Sequence, residues 1–237
     1  MPVRLHHIVV DAHDLPGLAR FWTQALGWKI LSERENEIVI GTDENAPVGM
    51  CFMPVPDPKT VKNRVHLDLE LPARDPEPLL RIGAQVLSEP GKDDWWVLAD
   101  PEGNEFCAFP PGQGAPPREP GLVAGVIQFT LDCADPQAQA EWWAGVLGGD
   151  LHPAEYGPKL RGAARLPWAE WLFQEVPEPK TVKNRVHWDV TLADPAPDAL
   201  VALGATVLRE PGGDISWWVL ADPEGNEFCG FAPRKKG

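Results

Sequence analysis

Positive charge is scarce in this sequence. Its 237 residues include 21 Lys and Arg against 35 Asp and Glu, which gives a formal net charge of −14. Residues 1–116 carry 10 basic and 18 acidic side chains, and residues 117–237 carry 11 and 17, so both halves are acidic. Phosphate backbones and anionic lipid surfaces are bound through clusters of Lys and Arg. The composition therefore predicts neither a nucleic-acid partner nor a membrane partner.

Long apolar runs and paired cysteine motifs are also missing. No apolar run approaches the roughly 20 residues that a bilayer-spanning helix needs, and the first residues lack the features of a secretory signal. The four cysteines show no CxxC spacing and lie at Cys51, Cys107, Cys133 and Cys229. This pattern is typical of reduced, mostly buried thiols, so we expect a cytoplasmic protein.

The sequence does contain a long internal repeat. The string PKTVKNRVH occurs at Pro58–His66 and again at Pro179–His187, 121 residues later. The string WWVLADPEGNEFC occurs at Trp95–Cys107 and at Trp217–Cys229, 122 residues later. Identical strings of this length, in the same order, indicate a duplicated domain.

A segment rich in Pro and Gly, PPGQGAPPREPG, separates the two copies. These residues disfavour both helix and strand and are typical of an extended connection. We therefore predict a first domain at 1–112, a linker at 113–121 and a second domain at 122–237.

Each copy is predicted to contain two modules, each a strand, a helix and further strands. In the first module, Arg4–Asp11 is typical of a strand, Asp14 is suited to cap a helix and Gly27 to end it. Short strands are predicted at Glu37–Gly41 and Gly49–Pro54.

The second module opens with a predicted strand at Val61–Leu71. Polar and apolar residues alternate along it, and a side-chain period of two places the polar set on one face. That set comprises Lys62, Arg64, His66, Asp68 and Glu70. A helix is predicted at Pro76–Ile82, and a hairpin at Trp95–Phe109 turns through Asp-Pro-Glu-Gly-Asn.

The motifs LHHIVVDAHDL, KNRVHLDLE and ADPEGNEFC, at the start, middle and end of a copy, resemble the glyoxalase/bleomycin-resistance (vicinal oxygen chelate) superfamily. The resemblance spans nearly the whole chain, twice over. It implies an α+β fold of two tandem glyoxalase-like domains. Each domain would consist of paired βαβββ modules that form a half-open barrel around a ligand or a metal.

The same resemblance implies where a metal would bind. Its first-strand positions fall on His7 and Gln128, and those of the second module fall on His66 and His187. The final strand holds Cys107 and Cys229 where the superfamily has a glutamate. We therefore expect no complete metal site and no cofactor. A zinc-like set of His7, His66 and Cys107 in the first domain is the alternative.

Other candidate site residues come from the repeated strand and hairpin. His66, Asp68, His187 and Asp189 are the candidate acid–base residues, because a histidine beside a carboxylate can exchange protons near neutral pH. The alternative is a hydrogen-bonded scaffold. Candidate ligand-binding residues are Arg64, Arg185, Trp95, Trp217, Cys107 and Cys229, against the alternatives of ion pairs, core packing and inert buried thiols.

Two functions therefore remain open from the sequence. The first is a protein that binds a small molecule in a cup in each domain, as a monomeric pseudo-dimer or a homodimer. The alternative is a metal-dependent or acid–base enzyme of the same superfamily, acting as a lyase, isomerase or dioxygenase.

Overall fold

A computed structural model describes residues 2–43, 48–113, 123–163 and 170–233. These residues form four βαβββ modules, two in each repeat. The first repeat contains β1 (Val3–Ala12), α1 (Leu15–Leu26), β2 (Lys29–Arg34), β3 (Glu37–Gly41), β4 (Gly49–Pro54), β5 (Val65–Glu70), α2 (Glu77–Arg81), β6 (Gln85–Ser88), β7 (Trp96–Ala99) and β8 (Glu105–Phe109). The second repeat contains β9 (Gly125–Cys133), α3 (Pro136–Leu147), β10 (Asp150–His152), β11 (Lys159–Arg161), β12 (Glu170–Glu175), β13 (Val186–Leu192), α4 (Asp198–Ala202), β14 (Thr206–Arg209), β15 (Trp218–Ala221) and β16 (Glu227–Phe231).

The modules assemble into two eight-stranded sheets that exchange partners between the repeats. The first sheet has the order β14-β15-β16-β13-β1-β4-β3-β2, and the second has the order β10-β11-β12-β9-β5-β8-β7-β6. Each sheet is joined at its centre by an antiparallel pair, β1 with β13 and β5 with β9. The two modules of one repeat therefore lie in different sheets.

The PKTVKNR strings are the connections that cross between the sheets. Residues 55–64 lead from β4 in the first sheet to β5 in the second, and residues 176–185 lead from β12 back to β13. We predicted strand from Val61 onward, and this was wrong for the first four residues, since β5 begins at Val65. Asn63 is drawn away from strand pairing because its backbone N–H donates to Glu105 and its side chain to Asn104.

The predicted α+β class, the four modules and most element bounds are confirmed. Asp14 caps α1 by accepting from the Gly17 N–H at 3.1 Å, and Gly27 ends that helix with a φ of 64°. Strands β2, β10 and β11 were not predicted, because they are short or mostly exposed and lack a clear apolar alternation. The predicted linker, 113–121, lies outside the described residues except for Gln113.

One main core lies between the helices and the sheets. Large aromatic side chains fill it, and those that are fully buried include Trp143, Trp171, Trp188, Phe106, Phe129 and Phe228. Trp143 of α3 packs against Trp188 of β13 at a ring distance of 5.0 Å, which connects the two modules of the second repeat. Aromatic pairs at such distances add to the stabilisation that area burial gives. Among the described residues, none of the helices is long and apolar enough to span a membrane.

The ADPEGN turn does more than reverse the chain. In the second repeat, Glu224 accepts hydrogen bonds from the backbone N–H groups of Ala134 (2.8 Å) and Asp135 (2.7 Å), just before α3. Arg64 of the first repeat lies 3.9 Å from the same carboxylate. Glu102 does the same for His13 and Asp14 in front of α1. These turns therefore fasten neighbouring modules together.

We expect Glu224→Ala to lower the free energy of unfolding by about 1–2 kcal/mol, because two backbone donors lose a charged acceptor. Urea unfolding followed by circular dichroism measures this change. Glu141→Ala, on the exposed face of α3, is the matched control and should leave the urea midpoint in place. Equal midpoints for both variants would contradict a fastening role for Glu224.

Candidate functional site

Each sheet turns one face toward the main core and the other face away from it. In β13, Trp188 and Val190 belong to the core, so His187 and Asp189 project from the opposite face. We call the face that points away from the core a cup. The first cup belongs to the first sheet, and the second cup belongs to the second sheet. The alternation predicted from the sequence is therefore present, although each cup combines modules of both repeats.

Strand register aligns three polar residues across each cup. In the first cup, His7 of β1 pairs with Asp189 of β13, which pairs with Cys229 of β16. In the second cup, Gln128 pairs with Asp68, which pairs with Cys107. A bulge in β1 between Leu5 and His7 places both His6 and His7 beside the first cup, their ring centroids 4.1 Å apart.

The six predicted residues of the repeated strands and hairpins converge into two triads. The histidine, carboxylate and thiol ligand atoms lie within 4.8 Å of one another in each triad. The first cup holds His187, Asp189 and Cys229, and the second cup holds His66, Asp68 and Cys107. All three side chains of a triad come from one module, because the parallel pairing of that module's first and last strands aligns them.

Asp68 of the second cup is held by two neutral donors. Gln128 Nε2 donates to Asp68 Oδ2 at 2.5 Å, and the Thr130 hydroxyl donates to the same oxygen at 2.9 Å. His66 Nε2 lies 3.4 Å from the other carboxylate oxygen. Donors that point at a carboxylate stabilise its charged form. One oxygen of this carboxylate, Oδ2, is therefore already occupied by protein donors, whereas Oδ1 is buried with no hydrogen-bond partner among the described residues.

Asp189 of the first cup lacks those two donors. The positions of Gln128 and Thr130 are taken by His7, whose Nδ1 lies 3.9 Å from Asp189 Oδ2, and by the apolar Val9. Burial raises the pKa of Asp189 to about 7, and the hydrogen bond from Cys229 opposes this rise. Asp189 therefore exchanges its proton near neutral pH.

Two histidines of the first cup, His7 and His187, are uncharged at that pH. Burial lowers the pKa of His187 to about 3, with a further contribution from Lys183. Burial also lowers the pKa of His7 to about 4, with a further contribution from His6. The first cup therefore combines neutral imidazoles with a carboxyl group that is close to half protonated.

The two cup thiols are not nucleophiles. Burial raises the pKa of both Cys107 and Cys229 above the usual range of a thiol, and the neighbouring Asp68 and Asp189 reinforce the shift. A protonated thiol reacts poorly, because the thiolate is the reactive form. Cys229 instead hydrogen-bonds to the Asp189 carboxyl group.

Comparison with known proteins agrees with this geometry. The model of the family described as glyoxalase-like domain matches the chain twice, at residues 7–109 and 128–231. The chain belongs to the glyoxalase-like domain family. Glyoxalase I from Zea mays has the same fold, with a TM-score of 0.65 and 17% identity over 96% of this chain and 92% of that chain.

A candidate dioxygenase from Bacillus subtilis subsp. subtilis str. 168 is also similar, with a TM-score of 0.62 and 14% identity over 98% of this chain and 86% of that chain. Likenesses at such low identity show the fold and leave the activity open. No curated protein sequence matches the chain significantly.

In this glyoxalase-like protein, the predicted metal set of His7, His66 and Cys107 is not brought together. His7 lies in the first sheet, whereas His66 and Cys107 lie in the second. The physical reason is the crossing of residues 55–64, which sends the second module of each repeat to the other sheet. Within the described residues, a metal set that includes His7 therefore combines it with Asp189 and the triad of the second repeat, whereas His66, Asp68 and Cys107 form a separate set in the second cup.

Arg64 and Arg185 lie in the crossing connections of this glyoxalase-like fold. Arg64 donates to the carbonyl oxygens of Glu178 (2.7 Å) and Asp132 (2.9 Å), both in the other repeat. Arg185 bonds the carbonyl of Asp57 at 2.6 Å. A cleft of about 680 Å³ separates the two connections. Ligand contact by these arginines stays a prediction, and the bonds they make here are between repeats.

Every cation of this cleft has a protein partner within the described residues. Lys59 binds Glu105 at 2.6 Å and Lys180 binds Glu227 at 2.7 Å. Lys62 and Lys183 pair with Asp132 and Asp11. The repeated cationic strings therefore serve as counter-ions for carboxylates, which agrees with the alternative that we kept open.

Trp95 and Trp217 flank the two cups and are half-buried. Trp217 stacks on Phe231 at 5.5 Å, and Phe231 meets the His6 ring at 6.1 Å, next to the first cup. Trp95 packs against Phe109 at 5.0 Å. Their positions are compatible with the predicted ligand contact, which stays a prediction.

Sequence reasoning missed three charged residues of the second cup. Glu170 pairs in register with Gln128 and accepts hydrogen bonds from Lys159 (2.5 Å) and Arg161 (2.6 Å). The sequence did contain a signal for Glu170. Glu170, Leu172 and Gln174 alternate with the buried Trp171, and a side-chain period of two places Glu170, Leu172 and Gln174 together on the cup face.

Proposed function

We propose that this protein binds a small molecule in the first cup, with Asp189 and His7 as its polar contacts. The observation that carries the proposal is the difference between two matched carboxylates. Asp68 is occupied by Gln128 and Thr130, whereas Asp189 faces His7 and Val9. A buried carboxyl group with few donors destabilises the fold, and such groups are concentrated at functional sites.

The chemistry of the cup follows from its protonation states. The protonated Asp189 carboxyl group donates a hydrogen bond to an acceptor on the ligand. The neutral His7 imidazole can donate or accept beside it, and Cys229 holds the carboxyl group from the adjacent strand. A donor of this kind inside a largely apolar site fixes the orientation of a ligand.

The experiment exchanges the residues that differ between the cups. A library of small molecules is screened by thermal shift against the wild type, and its hits are tested on His7→Gln/Val9→Thr, which copies Gln128 and Thr130. We expect at least a tenfold loss of affinity, because the new donors occupy Asp189. The reciprocal control, Gln128→His/Thr130→Val in the second cup, should leave affinity unchanged. Equal binding by both exchanges would reject the first cup as the site.

Binding to this site should depend on pH in a defined direction. Because the ligand engages the protonated form of Asp189, whose pKa is about 7, affinity should be constant below that pH. Above it, affinity should fall by up to tenfold per pH unit. Titration calorimetry of a screening hit between pH 5.5 and about 8.5 measures this dependence. Affinity that rises across this range would contradict a protonated donor.

A zinc-dependent reaction in the same cup is the second candidate. His187, Asp189 and Cys229 offer nitrogen, oxygen and sulfur atoms within 4.8 Å of one another, and His7 lies beside Asp189. His187 Nδ1 is buried with no hydrogen-bond partner in the described part of the chain. This donor set is typical of zinc. These four residues would hold the ion, which would supply a Lewis acid.

Elemental analysis separates the two candidates. A protein purified without chelator that holds about one zinc per chain, and loses it in His187→Gln, supports the second candidate. Zinc would also keep Asp189 ionised, so the binding transition near pH 7 would disappear. Protein with no bound metal and with that transition intact supports the metal-free binding site.

A further inference from the structure

We infer that the first cup takes an uncharged ligand with an aromatic or branched aliphatic part, and that the second cup excludes such a ligand. This inference rests on the proposed function. It goes further by naming the class of ligand and by assigning different specificities to the two cups. The geometry that points to it is a residue-by-residue difference between duplicated strands.

The floor of the first cup is apolar. Val9, Val39 and Cys51 form a buried cluster that is separate from the main core, and the partly buried Leu31 and Met53 pack against it. Register places these residues side by side, since Val39 pairs with Cys51 and Cys51 pairs with Val9. The cluster adjoins the polar row, because Val9 follows His7 by two residues on the same strand face.

Two of these three positions are polar or charged in the second cup, and the third, that of Cys51, is held by Leu172. Lys159 pairs with Leu172, and Leu172 pairs with Thr130. Lys159 therefore occupies the place of Val39, and Thr130 the place of Val9. Lys159 and Val39 are 120 residues apart, whereas the repeats align at an offset of 121. Their correspondence is therefore visible in the strand register and not in the sequence alignment.

Next to the polar row, the second cup carries an ion-paired group. Glu170 stands beside Gln128 and is held by Lys159 and Arg161, whose hydrogen bonds outweigh the effect of burial and lower its pKa. In the first cup, Gly49 stands beside His7. A Cβ on Gly49 would lie 2.6 Å from the Ile40 carbonyl oxygen and 3.6 Å from His7 Cδ2. The first cup therefore has no room for a second Glu170.

These differences select against charge in the first cup and against apolar surface in the second. An anionic ligand in the first cup would lose its hydration against valines and a cysteine, where no positive charge replaces it. A cationic ligand would require the ionised form of Asp189, whereas the proposed function uses the protonated form. An apolar ligand in the second cup would desolvate Lys159 and Glu170 and gain little contact. Met53 at the edge of the apolar cluster is flexible and can adapt to the outline of a bulky group.

The test uses N-phenyl-1-naphthylamine, an uncharged aromatic probe whose fluorescence rises in an apolar site. We expect one site per chain in the wild type. Val39→Lys, which copies Lys159 into the first cup, should weaken binding at least tenfold, because an ammonium group then lies against the probe. The matched control, Lys159→Val in the second cup, should keep the first site intact.

Unchanged binding by Val39→Lys, or complete loss of binding in Lys159→Val, would overturn the inference. Far-UV circular dichroism verifies the fold of each variant, and the milder Val9→Thr, which should also weaken binding, replaces Val39→Lys if that variant does not fold. Failure of the proposed function gives a different result: His7→Gln/Val9→Thr then leaves the library hits bound. If the hits depend on His7 and Val9 but are charged, and the probe does not bind, the ligand class is wrong and the site stands.

Discussion

Asp189→Asn is expected to raise the free energy of unfolding by about 2–4 kcal/mol at pH 8, because asparagine has the shape of a protonated aspartate and carries no charge. Burial raises the pKa of Asp189 from 3.8 to about 7 in the folded protein. Between these two values the folded state binds more protons than the unfolded state. The stability that Asp189 contributes is therefore present at low pH and is lost as the pH rises toward 7.

The gain from the substitution should disappear near pH 4, where the carboxyl group is already protonated in the folded protein. Urea unfolding of both proteins at pH 4, 6 and 8 measures this trend. Asp68→Asn is the matched control in the second cup and should be destabilising at pH 8, because Gln128 and Thr130 lose a charged acceptor. A loss of stability for Asp189→Asn at pH 8 would contradict a raised pKa.

If Asp189→Asn raises the free energy of unfolding at pH 8 and Asp68→Asn lowers it, the difference would be informative about function. A buried residue whose hydrogen bonds do not offset its cost in folding free energy is retained for another reason, of which ligand binding is the one proposed here. In the second cup, the equivalent carboxylate, Asp68, accepts hydrogen bonds from the protein and contributes to the stability of the fold.

Local features of this fold could be predicted from the sequence because short-range physics determines them. The cap at Asp14, the helix end at Gly27 and the hairpin turn after Asp100 depend on a few neighbouring residues. Strand alternation correctly placed His66 and Asp68 on one face. These predictions needed no knowledge of which strands pair.

The exchange of modules between sheets could not be predicted in the same way. Strand β1 could pair with β5 of its own repeat or with β13 of the other repeat, which has the same Val-His-x-Asp pattern, and this shared pattern does not distinguish the two partners. The choice depends on the path of residues 55–64 and 176–185, which is set by long-range bonds such as that from Arg64 to Glu178. For this reason, the metal set predicted within one repeat was wrong.

The difference between the cups was also hidden at the sequence level. Alignment at a constant offset of 121 places Leu160 opposite Val39, and both are apolar. The structure pairs Lys159 with Leu172 at the position where Val39 pairs with Cys51. A one-residue change of register moves a side chain to the other face of a sheet. The sequence alignment therefore matched two apolar residues and hid the charge that Lys159 brings to the second cup.

The second large effect is expected at the turn that follows β15. Asp222→Ala should lower the free energy of unfolding by about 3–5 kcal/mol, because a buried carboxylate that several donors share is removed. Its side chain accepts hydrogen bonds from Gln139, Trp143 (3.3 Å) and Asn226. Without Asp222, these donors remain inside the core with no acceptor.

The first repeat supplies a graded comparison for this substitution. Asp100 accepts from Trp22 (3.1 Å) and Asn104, but the position of Gln139 is occupied by Leu18. Asp100→Ala should therefore cost about 1 kcal/mol less than Asp222→Ala, the typical contribution of one hydrogen bond. Asp214→Ala, at an exposed ion pair, should leave the urea midpoint unchanged. If Asp100→Ala lowered the free energy of unfolding more than Asp222→Ala, the Gln139 bond would contribute no stability. The deeper burial of Trp143 than of Trp22 would then have to account for the packing of the second repeat.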